Sequence, residues 1–102
     1  MHTISEIKQK VCNMYGVNLE LLKNTKEKSE EVYEARWAIS YILHIIKGKS
    51  MRSISNIMGW EHAMVVFYGV KMYGKILNKE RKSSLCSESL SELKEFIEDV
   101  GK

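Results

Sequence analysis

A chain of 102 residues with 44% apolar and 28% charged residues has the balance of one globular domain, not of a disordered segment. No apolar run approaches the ~18 residues a membrane span needs, and the opening MHTISEIKQK holds no apolar signal-peptide segment, so a cytoplasmic protein is expected. The net charge of +3 is spread unevenly: +1 over 1–47, +5 over 48–82 and −3 over 83–102, so a polyanion is a better partner for the middle of the chain than for its end.

Apolar residues recur at helical spacing throughout, and no proline interrupts them. Ile4, Ile7, Val11 and Met14 make the first stripe; Thr3 and Glu6 form a capping box, and Gly16 closes the helix. Asn18 caps a short turn holding Leu19, Leu21 and Leu22. The polar stretch KNTKEKSEE follows as the one loop of any length. A long helix is predicted over about 30–47, with Ser29 as its cap and Val32, Ala35, Ile39, Ile42 and Ile46 inward; Gly48 ends it. Ser50 caps a short helix over about 51–58, burying Ile54, Ile57 and Met58. Gly59 ends that one. The next helix is predicted from about 61 to 79, with Val65, Gly69, Met72 and Ile76 inward; Gly69 on that stripe suggests a close helix–helix approach. A polar connection, 79–84, leads to a last helix over about 88–99, capped by Ser87, with Leu90, Leu93, Ile97 and Val100 inward. The expected architecture is a single all-α domain over 1–102, a bundle of about six helices.

Residues 50–73 have the layout of a helix-turn-helix, a short helix, a glycine turn and a longer helix. In that motif the first turn of the second helix meets base edges in the major groove, because a groove about 12 Å wide admits one helix. Trp60, Glu61, His62, Ala63 and Met64 occupy those positions here. Ser55 is small enough to let the two helices approach, and Val65 is placed to lock them.

The chain resembles the C-terminal DNA-binding domain (domain IV) of the bacterial replication initiator DnaA over residues 4–77. The resemblance rests on a first helix ending in "YGV", on "ARWAISYIL" in the long helix, and on "KSMRSISNIMGWEHAMVVFYGVKM", which is similar to the family's signature. It implies a Trp-repressor-like helix-turn-helix fold and double-stranded DNA binding. Gly59, His62 and Val65 agree with the signature. His62 falls where the family's histidine reads a base, Lys71 on a basic position of the same helix, and Arg36 on the arginine early in the long helix. Glu61 stands for an aspartate, Trp60 for an arginine, and Ala63 and Met64 for two threonines. The loop that is arginine-rich in the family here sets Lys23, Lys26 and Lys28 against Glu27, Glu30, Glu31 and Glu34, with Glu30 about where an arginine enters the minor groove. These departures imply recognition weaker than, or different from, that of the usual initiator site.

The expected function is therefore sequence-specific or semi-specific duplex binding, with the protein in the cytoplasm at the nucleoid. Glu61, His62 and Met64 face bases; Arg36, Lys49, Arg52 and Lys71 hold phosphates. There is no P-loop for an ATPase and no motif that sets a nucleophile beside a base, so an enzyme with a small-molecule substrate is not expected. Cys12, Cys86 and the three histidines lack ligand spacing, so neither a metal nor another cofactor is expected. His44 reads as structural, Tyr68 and Tyr73 as core and flank, and Arg81 as solvated. The alternative is a protein-interaction module on the same fold, with Trp60 and Met64 in its partner surface.

Overall fold

The structure is a computed structural model that describes residues 2–23 and 29–102. The polar stretch 24–28, with Lys26, Glu27 and Lys28, lies outside the described residues. Six α-helices follow in order: α1 (Ile4–Tyr15), α2 (Leu19–Lys23), α3 (Glu30–Tyr41), α4 (Met51–Met58), α5 (Met64–Leu77) and α6 (Ser87–Val100), with no strand among the described residues.

The helix starts are set by side chains that satisfy free N–H groups. Thr3 Oγ1 accepts from the Glu6 amide and the Glu6 side chain answers at the Thr3 amide. Ser29 Oγ accepts from the Val32 amide at the start of α3, Ser50 Oγ from the Ser53 amide at α4, and Asn18 from the Leu21 amide at α2. Helix α6 departs from expectation. Cys86, not Ser87, is its N-cap, and it makes no capping bond to the backbone.

Helix α3 is the axis of the molecule, packing against α5, α1 and α2. Its last turn is not α-helical. Ile42–Ile46 form a π turn in which the Lys47 amide donates to Ile42, so the predicted helix over 30–47 changes winding near its end. The wider turn puts both Ile42 and Leu43 in the core, while Ile46, expected inward, is half-buried. His44 Nδ1–H donates to the Lys49 carbonyl at 2.8 Å and fixes the chain as it leaves through Gly48.

Gly69 is the closest point between α3 and α5. A Cβ there would lie 2.9 Å from Ser40 Oγ and 3.2 Å from the Trp37 Cα, so only glycine lets the two backbones approach this far. Met72 and Ile76 are buried as expected; Val65 is half-buried, and Val66 and Tyr73 take core positions beside them.

Glu34 is 1% exposed, although the sequence places it among the acids of a surface stretch. Its carboxyl oxygens accept from Tyr15 Oη at 3.3 Å, Ser83 Oγ at 2.7 Å and the Ser84 amide at 2.6 Å. Tyr15 spends its one proton on Glu34, so the bond of 3.1 Å between the two phenols runs from Tyr73 to Tyr15. This network ties α1, α3 and α5 to the segment that leads into α6. Burial, then the neighbouring Tyr73 and Glu34, raise Tyr15 above the ordinary phenol range; burial raises Tyr73 as well.

Candidate nucleic-acid interface

Helix α4 ends where Gly59 enters the left-handed region at φ 73°, its N–H returning to the Asn56 and Ser55 carbonyls. The Trp60 amide then donates to Ser55 at 2.9 Å. Helix α5 does not begin near residue 61 as predicted but at Met64, with Ala63 as an N-cap that offers no side-chain bond. Four residues, 60–63, therefore cross between the helices in non-helical form. The delay has a cause: after Gly59 the chain turns Trp60 inward, and a helix starting at once would carry that ring outward.

Trp60 is 4% exposed, and its Nε1–H donates to the Leu22 carbonyl at 2.8 Å. The expected contact between this ring and DNA is corrected to a core role. Arg36 meets the same fate. It is also 4% exposed, with Nε donating to Leu22 at 3.1 Å and Nη2 to Leu21 at 3.4 Å. Both side chains thus satisfy carbonyls left open at the end of the five-residue helix α2, and neither is placed to hold a phosphate.

The other expected residues stand differently. Glu61 and His62 are exposed in the crossing segment, Ala63 is half-buried, and Met64 is 66% exposed at the head of α5. Met64, Phe67, Tyr68, Lys71 and Lys75 follow at i, i+3, i+4, i+7 and i+11, and all five are exposed. They form one outward stripe, apolar in its first two turns and basic in its last two. Arg52 is exposed on α4 and Lys49 half-buried before it. No carboxylate pairs with Lys49, Arg52, Lys71 or Lys75 among the described residues.

No family model, curated protein or solved structure matches the chain. The functional reading therefore rests on this surface and its chemistry.

An aromatic cleft beside the stripe was not legible in the sequence. Tyr33, Arg36 and Trp37 of α3, Val65 and Tyr68 of α5, and Arg81 enclose about 490 Å³. Tyr33 and Trp37 lie one turn apart with rings 8° from parallel and centroids 6.3 Å apart. Tyr68 meets Trp37 edge-on at 6.0 Å, and the Arg81 guanidinium sits 5.3 Å from the Trp37 ring. Tyr73 is buried and Tyr68 is 53% exposed, the core and flank positions expected of the pair, and Arg81, expected to be solvated, is exposed against an aromatic face. The available signal was the spacing of Tyr33 and Trp37, four apart on a helix and so on one face. The pairing with Tyr68 and Arg81 comes only from the fold.

Proposed function

We propose that the protein binds double-stranded DNA through α4, the crossing segment and α5, with α5 in the major groove and no ATPase activity. The observation that carries this reading is the continuous exposed edge from Glu61 and His62 down the stripe of α5 to Lys71 and Lys75. Carboxylate and imidazole at the head of the helix are suited to base edges, Glu61 to a cytosine amino group. Met64 and Phe67 offer apolar contact to thymine methyl groups. Lys49, Arg52, Lys71 and Lys75 supply the phosphate contacts, Lys75 taking the place expected of Arg36. The charge of +5 over 48–82 favours the same partner.

Titration of a labelled random duplex at several salt concentrations tests the reading. Four phosphate contacts predict that log affinity falls with log salt at a slope near −3 to −4. His62→Ala should narrow the gap between preferred and random sequences, whereas Lys71→Ala should weaken all sequences alike. Absence of a salt-dependent duplex complex would sink the proposal.

One observation favours a protein-interaction module instead. Met64, Phe67 and Tyr68 are exposed by 66%, 48% and 53%, beside Trp37 and Arg81, and methionine, aromatic residues and arginine are the types enriched in protein interfaces. A chain that ignores duplex DNA yet loses a partner on Phe67→Ser would belong to that class.

A further inference from the structure

We infer that the cleft between α3 and α5 takes an unpaired nucleobase together with its phosphate, so that single-stranded or junction DNA is a ligand of the protein beside duplex; this rests on the nucleic-acid reading above. The cleft has two chemical features. Its walls are aromatic, with the rings of Tyr33 and Trp37 nearly parallel and Tyr68 set across them. Its rim carries Arg81, which lies against Trp37 and forms no ion pair among the described residues. A flat π surface beside a guanidinium is the arrangement on which bases stack while the backbone is held by charge. The volume of about 490 Å³ falls within the usual range for ligand clefts.

A base inside a duplex cannot use this surface, because its faces are covered by its neighbours in the stack. The ligand must present a free face, which selects single strands, junctions and extruded bases. The position of the cleft supports this assignment. Tyr68 belongs both to the cleft and to the outward stripe of α5, so a strand leaving the cleft passes directly to Lys71 and Lys75, one and two turns further along the helix. An acidic peptide would satisfy Arg81 equally well, but it has no need of a parallel pair of rings.

The protein carries its own reporter. Trp60 is 4% exposed and bonded to Leu22, so Trp37 is the indole a ligand can reach. Emission should be followed while the full chain is titrated with a twelve-nucleotide thymidine oligomer, with a duplex hairpin closed by a non-nucleotide linker, and with an acidic phenylalanine-containing peptide of matched charge. The oligomer is expected to quench Trp37. Tyr33→Leu and Arg81→Gln should each weaken the oligomer about tenfold while changing hairpin affinity less than twofold, in variants whose helical signal and melting match the parent.

An oligomer that leaves Trp37 unchanged, or binds both variants as it binds the parent, overturns the inference. If the hairpin still binds with the expected salt slope, only the cleft assignment falls. If neither nucleic acid binds, both readings fall. Quenching by the peptide at the same concentration as the oligomer assigns the cleft to a protein ligand and overturns the inference as well.

Discussion

The Leu22 carbonyl accepts from both Trp60 and Arg36, at 2.8 and 3.1 Å, at the end of a helix too short to satisfy its own terminus. Trp60→Phe keeps an aromatic ring in the space and removes the N–H. The carbonyl retains Arg36, so the expected loss is that of one hydrogen bond plus a little packing, about 1–2 kcal/mol, read as a lower urea midpoint. On the duplex-binding proposal, the affinity of the folded variant for DNA should not change. A fall in affinity with the midpoint unmoved would return Trp60 to the DNA-contact set. The inward turn of this tryptophan was not legible in the sequence, because its immediate neighbours are a glycine, a glutamate and a histidine. Its partner lies 38 positions away. Arg36 was open to either role by type, and its burial depends on where α2 ends. Glu61, His62 and Met64 are exposed as the pattern suggested, since nothing in the core competes for them.

At the scale of the helices, local chemistry was the more reliable guide. The capping roles of Thr3, Asn18, Ser29 and Ser50 and the closing roles of Gly16, Gly48 and Gly59 depend on residues within four positions, and the structure shows each of them. What short-range pattern does not carry is winding and phase. The π turn of Ile42–Ile46 and the late start of α5 both follow from what must be buried against other helices. The two glycines of α5 make this separation testable. At Gly74 an added Cβ would lie 4.0 Å from Tyr41 Cε2, an ordinary contact, so Gly74→Ala should stabilise by about 0.5–1 kcal/mol through backbone entropy. At Gly69 the same methyl would meet Ser40 Cβ at 3.0 Å and the Trp37 backbone at 3.2 Å. Gly69→Ala should therefore destabilise by about 1–3 kcal/mol, overpacking outweighing propensity. Thermal melts of the two variants should move in opposite directions. If both rise, α3 and α5 are less tightly apposed than their backbones indicate.

Across the whole molecule, charge is segregated. Positive groups gather around α4, α5 and the residues after it, while α6 exposes Glu88, Glu92, Glu95, Glu98 and Asp99. The sequence shows this division directly, but it gives no sign that Glu34 belongs to the interior. There it joins Tyr15 and Tyr73, and their surroundings govern how the fold responds to alkali. Cys12 is 1% exposed, and burial pushes its thiol from 9.0 up to about 11. Both phenols are raised above their ordinary 10.0, by burial first. In each case the folded state holds a proton that the unfolded chain gives up, so stability falls as pH rises past the unfolded value. The urea midpoint should stay level from neutrality to about pH 9, decline as Cys12 titrates in the unfolded chain, and decline more steeply above about pH 10, each group adding a slope of about 1.4 kcal/mol per pH unit. Cys12→Ala should remove the early decline alone. Tyr73→Phe should lessen the later one, because it removes a phenolate that would otherwise form beside Glu34 and Tyr15. A midpoint that holds level through pH 11 in the parent protein would mean that these groups ionise freely in the folded chain, and that Glu34 and the two phenols are not the closed interior junction that joins α1, α3 and α5 to the approach of α6.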